Sequence, residues 1–155
     1  MNQVMSQILQ KEFNECKEIP DGIIDLKILN ENSWQIVIKG PKLSPYEKGQ
    51  FFILVEFPKE YPNIPPKFRI LNKIYHMNVN QQGCIALNTL KKEWSESIGV
   101  KKMLLEILSL FQKPNPQNPL NLKLAQQYQE DCSEYYERAQ QWTQQFATFI
   151  DIKID

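Results

Sequence analysis

Three thiols and one imidazole are the scarce groups in this chain that could do nucleophilic or acid–base chemistry. The cysteines are Cys16, Cys84 and Cys132, and the histidine is His76. A thiolate is nucleophilic near neutral pH and a good leaving group, so it can carry an acyl group as a thioester. His76, Asn78 and Cys84 share the stretch YHMNVNQQGCIALNTLKKEW over residues 75–94. From residue 72 to 98 the apolar residues follow neither helical nor strand spacing. A long unpatterned segment in a compact chain marks a functional loop. A single histidine and the absence of a Cys-x-x-Cys pair argue against a zinc site, so neither metal nor organic cofactor is expected. An odd, widely spaced set of cysteines, behind an N-terminus with no secretory pattern, predicts reduced thiols in an intracellular, cytosol-like compartment.

The segments around this stretch predict the scaffold. Val4, Ile8, Leu9, Phe13 and Cys16 fall on one face of a first helix, which ends before Pro20-Asp21-Gly22. Strand-like runs follow at residues 23–29, 34–39 and 51–57, joined by short connections rich in turn residues, with a fourth at 67–71. Short links between strands imply an antiparallel meander. Pro58, Pro62, Pro65 and Pro66 exclude a regular element between the third and fourth strands. Val100, Met103, Leu104, Ile107, Leu108 and Phe111 mark a strongly apolar helix that stops before Pro114. Another helix starts near Asn121, and the last carries Tyr135, Ala139, Trp142, Phe146 and Phe149. Strands and helices are segregated, which defines an α+β class.

The chain has 155 residues, 42% of them hydrophobic, with 8 Phe, 6 Tyr and 3 Trp. That supports one folded core domain over residues 1–149. Residues 150–155 form a short tail that alternates apolar and polar residues like a strand. Lys plus Arg equals Asp plus Glu, at 18 each, so no electrostatic footprint for nucleic acid exists. No apolar run is long enough to span a bilayer. Partners are therefore expected to be proteins.

The ordered motifs resemble the ubiquitin-conjugating enzyme family over nearly the whole chain. Gly40-Pro41, Ser44-Pro45-Tyr46-Glu47, Gly49 and Phe51 are similar to the family's turn before its third strand. Phe57-Pro58, Tyr61-Pro62 and Pro65-Pro66-Lys67 resemble its proline-rich loop. His76, Asn78, Gly83, Ile85, Leu87, Leu90 and Trp94 fall in register with its active-site segment. Pro114-Asn115-Pro116, Pro119-Leu120, Ala125, Tyr128, Asp131, Tyr135, Ala139 and Trp142-Thr143 match its C-terminal helices. The resemblance implies the ubiquitin-conjugating fold: an N-terminal helix, a four-stranded antiparallel meander, a long active-site loop and three C-terminal helices. It also implies transfer of ubiquitin, or a relative, from a cysteine thioester to lysine.

The position of that cysteine is occupied by Ala86. A methyl group cannot attack a thioester, so the fold and the activity come apart. By resemblance, Asn78 either stabilises the oxyanion of the transfer step or braces the loop, and His76 bonds the loop backbone. Cys84 is the alternative thiol. In an extended segment it would point to the same side as residue 86, but about 6.5–7 Å away along the chain. A displacement of about 1 Å can already cost on the order of 100-fold in rate. Cys84 is therefore expected to be an ordinary cysteine.

Further departures cluster on catalytic and partner surfaces. Met77 stands where the family has proline between His and Asn, and Asn88 where many members have aspartate. Asn63 replaces an aromatic common on the proline-rich loop. Ser95-Glu96-Ser97 replaces Ser-Pro-Ala, putting Glu96 and Ser97 where the family has apolar anchors. Gln7 and Ile8 occupy the positions of a basic pair that meets the activating enzyme. These changes imply a catalytically inactive member that serves as a binding or structural module, as a ubiquitin-pathway adaptor or a subunit of a larger assembly. The alternative is an active conjugating enzyme whose cysteine has been replaced artificially by Ala86.

Overall fold

A computed structural model describes residues 3–87 and 94–148. Helix α1 (Gln3–Cys16) leads into strands β1 (Ile23–Asn30), β2 (Ser33–Lys39), β3 (Gln50–Glu56) and β4 (Lys67–Ile70). Helices α2 (Gly99–Gln112), α3 (Leu122–Glu130) and α4 (Cys132–Phe146) follow. The strands form one antiparallel sheet in the order β1-β2-β3-β4. The observed strands differ from the sequence expectation by about a residue at their ends. The ladder extends back to Ser33 and out to Asn30, and it stops at Glu56 and Ile70.

Alternation decides which face of the sheet is buried. Trp34, Ile36 and Ile38 of β2, Phe51, Ile53 and Val55 of β3, and Phe68 and Ile70 of β4 all point into the core. Residues between them lie on the opposite face, because successive side chains of a strand point to opposite faces; on that face Val37 is buried as well. Val100, Met103, Leu104, Ile107 and Phe111 of α2 complete this core. Each large side chain enclosed in this way contributes about 1.5–3 kcal/mol of transfer free energy.

Helix α1 departs from expectation at its start. Val4 is 64% exposed, and Met5 takes its place in the core with Leu9, Phe13 and Cys16. Met5, Leu9, Phe13 and Cys16 are spaced by four, four and three, so they stack on one face. Val4 lies one residue, about 100° of rotation, away from Met5. On α2, Leu108 sits at the margin of the core rather than inside it. On α4 the fully buried line is Tyr135, Ala139 and Thr143, with Trp142 and Phe146 half-buried beside it. Phe149 and the tail 150–155 lie outside the described residues.

The C-terminal helices start where polar side chains cap them. Asn121 Oδ1 accepts from Leu124 N at 3.2 Å, and Asp131 Oδ1 accepts from Glu134 N at 3.1 Å. Met77, Ala125 and Tyr135 form a second, smaller buried cluster flanked by Tyr75, Leu124 and Tyr128. This cluster seats α3 and α4 against the loop that follows β4. Among the described residues, no helix is long and apolar enough to cross a membrane.

Candidate active-site loop

The loop after β4 is held by buried side chains, Val79, Ile85 and Leu87 in the main core and Met77 in the second cluster, and by hydrogen bonds; among the described residues it has no ladder of its own beyond isolated bridges pairing Arg69 with Cys84 and Val79 with Ile85. His76 is buried. Its Nδ1 accepts from Asn78 N at 3.0 Å. The opposite nitrogen, Nε2, must then carry the proton, which it donates to Leu110 O at 2.8 Å. The ring stacks on Tyr46 at 5.5 Å and lies 5.9 Å from Phe111. Burial pushes its pKa down to about 4, against the partial restoring effect of the Leu110 carbonyl. His76 is thus a neutral tie between the loop and α2, with both ring nitrogens occupied.

Asn78 is completely enclosed. Its Nδ2 donates to Asn115 O at 2.8 Å and to Asn118 O at 3.0 Å. Its Oδ1 accepts from Asn115 N at 2.9 Å. Both amide hydrogens are committed to the Pro114–Pro119 turn, which leaves no donor for a developing oxyanion. The backbone carbonyl of Asn78 accepts from Ala86 N at 2.9 Å. Asn78 therefore ties residue 86 to the turn before α3.

Met77 shows what the departure from proline does. Its backbone N–H donates to Tyr135 Oη at 3.1 Å, a bond that proline cannot make. Its carbonyl accepts from Leu120 N at 2.8 Å and Asn121 N at 3.1 Å, and its side chain fills the second cluster. Tyr46 donates to Tyr75 O at 2.6 Å, and Tyr75 donates to Gln127 Oε1 at 2.5 Å. Burial raises the pKa of Tyr135 to about 12, so its hydroxyl stays protonated.

Ala86 lies in this frame and is 7% exposed, whereas Cys84 is exposed. The segment is not a regular strand, so the same-side geometry expected for residues two apart does not give them a common surface. Asn80 Oδ1 accepts from Gln82 N at 3.0 Å and Cys84 N at 2.9 Å, and Gly83 O accepts from Ile70 N at 2.9 Å. Gly83 has φ +88°, and a Cβ there would lie 2.1 Å from Ile70 O. That turn carries the Cys84 side chain into solvent while Ala86 remains enclosed. Asn88 and Leu90 lie outside the described residues.

The predicted partner positions occupy two loops and one helix. Asn63, Glu96, Ser97 and Gln7 are exposed, while Ile8 is half-buried and packs against the core. Trp94 Nε1 donates to Pro62 O at 3.1 Å, which ties the two loops together. Sequence reasoning missed Ile64, which is 47% exposed beside Asn63. An isoleucine between a polar residue and two prolines was the available signal. It also missed Glu12, a buried carboxylate on α1. Glu12 falls at helical spacing from Ile8, Leu9 and Cys16, so its place on the apolar face was readable.

A helix-sheet-helix scaffold with a long loop braced by His and Asn defines the class to which the chain belongs. The model of the ubiquitin-conjugating enzyme family matches residues 8–143. A crystal structure of a putative ubiquitin conjugating enzyme from Plasmodium yoelii is similar to this chain, with a TM-score of 0.85 and 34% identity. The match covers 97% of this chain and 99% of that one. The chain belongs to the ubiquitin-conjugating enzyme family.

Proposed function

We propose that this protein is a catalytically inactive ubiquitin-conjugating-enzyme-like module that works by binding. The observation that carries the reading is the state of the transfer site. Ala86 supplies a methyl where the family has its nucleophile, and both donor hydrogens of Asn78 are committed to the Pro114–Pro119 turn. His76 has no free nitrogen to act as a base. His76 keeps the loop-bonding role the resemblance implies, and the frame persists without the nucleophile that thioester chemistry requires and without a free donor on Asn78. The partners are proteins, either ubiquitin-pathway components or subunits of a larger assembly. The same reading takes residues 1–149 as one core domain and places the protein in a reducing, cytosol-like compartment, with Cys16, Cys84 and Cys132 as free thiols.

The second reading is an active conjugating enzyme in which cysteine has been replaced artificially by Ala86. Two observations favour it: Asn78 still ties residue 86 to the Pro114–Pro119 turn, and Ile64 offers an exposed apolar side chain on the proline-rich loop. The test is incubation with activating enzyme, ATP and ubiquitin, for the chain itself and for Ala86→Cys. Inactivity of both is expected for a binding module. Efficient charging of Ala86→Cys alone would establish the second reading. A reducible adduct on the unaltered chain that disappears in Cys84→Ser would overturn the first.

A further inference from the structure

Glu12 sits where three elements meet. It projects from α1 and is only 8% exposed. Oε1 accepts from Val100 N at 2.8 Å, in the first turn of α2. Oε2 accepts from the hydroxyl of Tyr61, in the proline-rich loop. The residue before α2, Ile98, has no side chain with which to cap it, so a free N–H of that helix is satisfied from α1 instead. Gly99, at φ +73°, leaves the room: a Cβ there would lie 2.7 Å from Glu12 Oε1. Tyr61 packs 6.1 Å from Trp94, whose indole is bonded to Pro62 O.

We infer that the Glu12 carboxylate is a latch that couples α1 to the two partner-facing loops, so that displacement of one is felt by the other. Both hydrogen bonds end on one carboxyl group, so neither can be lost without freeing the other's acceptor to move, and each strengthens when that group is ionised. Losing the Tyr61 bond lets the carboxylate reorient, which loosens the Val100 bond and with it the start of α2. Asn63 and Ile64 follow Tyr61 across Pro62 in the loop, and Ser95, Glu96 and Ser97 lie between Trp94 and α2. A partner pressing on either loop therefore changes the seating of α1, and one docked on α1 changes the loops. This holds whichever protein binds.

Other titratable groups surround the latch. Glu15 and Lys11 act on it from its own helix, Cys16 lies one turn on, and Tyr61 faces it from the loop. Burial holds the Glu12 carboxyl above its usual range, opposed by the bonds from Tyr61 and Val100.

The test uses amide exchange and NMR on the whole chain. Tyr61→Phe removes one oxygen at a distance from Val100. The expected result is faster exchange of the Val100 amide by about tenfold, the size of a partial loss of a hydrogen bond to a charged group. The amides of residues 63, 64, 96 and 97 should shift with it. In a Glu12→Ala background, adding Tyr61→Phe should leave Val100 exchange where Glu12→Ala has put it. If Glu12→Ala fails to fold, Glu12→Gln serves as the background, and there the response of Val100 to Tyr61→Phe should be blunted. In the parent protein, Val100 and the loop amides should titrate with one shared midpoint that vanishes in Glu12→Gln. An unchanged Val100 in folded Tyr61→Phe overturns the latch. So does an equal response with and without Glu12, or separate midpoints for Val100 and the loops.

Discussion

Replacing Asn78 by alanine measures how much of the active-site loop depends on one side chain. Three hydrogen bonds are lost at once: two from Nδ2 to Asn115 O and Asn118 O, and one from Asn115 N to Oδ1. Each neutral bond contributes about 0.5–1.5 kcal/mol net. Asn115 and Asn118 are only half-buried, so water can reach their freed backbone groups. That places the cost at about 3 kcal/mol, the centre of the range for three bonds. For a chain of this size the same loss lowers Tm by roughly 6–12 °C. Asn78→Asp should be worse than alanine. It keeps an acceptor for Asn115 N but aims its second carboxylate oxygen at two carbonyls, leaving that oxygen of a buried charge without a donor and against two acceptors. Urea and thermal unfolding of the three proteins, followed by tryptophan fluorescence, give the values. An alanine variant within about 1 kcal/mol of the parent would refute the bracing role, because a side chain held only for oxyanion contact would leave stability intact. Parental stability of Asn78→Asp would refute the donor assignment.

Other consequences follow from the same geometry. Stability from keeping His76 neutral is fully present above pH 6.5, and it is lost as pH falls toward the folded value of about 4; the gap corresponds to about 3 kcal/mol, readable as a falling urea midpoint between pH 7 and 4. Glu12 acts in the opposite sense, because its raised value makes its contribution complete below pH 4.5 and lost as pH rises through the folded pKa. Comparing Glu12→Gln with the parent across pH 4–8 isolates that term, and a parent that gains relative stability as pH rises would contradict the sign. A thiol reagent at pH 8 should modify Cys84 and Cys132 in the native state and reach Cys16 only on unfolding, because Cys16 is enclosed and burial pushes its thiol up to about 12; early modification of all three would refute this. Tyr135→Phe leaves the Met77 N–H without its acceptor and should cost about 1–3 kcal/mol, measured by urea unfolding.

Much of the scaffold was legible because it rests on local periodicity. The apolar runs of β2 and β3 and the stripe on α2 appear directly in the order of residues, and the short connections implied a meander, but which apolar residues of β3 face the core was settled only by burial. The start of α1 was misread because Val4 and Met5 are both apolar neighbours at a helix end, and only packing chooses between them. The loop from residue 72 onward gave no periodic signal. Its conformation comes from bonds to residues far along the chain, such as Leu110, Asn115 and Tyr135. The spacing already separated Cys84 from position 86, but their opposite exposure was not legible, since it depends on the Gly83 turn pressed against Ile70.

By itself, the order of residues determined the family, the α+β architecture and the absence of sulfur at position 86. Residue identity and short-range spacing are sufficient for each of these. The tertiary structure alone decided how the remaining groups are used. It spent both hydrogens of Asn78 on a turn, gave the N–H of Met77 an acceptor on α4, and placed the Glu12 carboxylate between the proline-rich loop and the first turn of α2. Hydrogen bonds are directional and short, so whether a donor is free is a property of three-dimensional neighbours, which no linear pattern encodes.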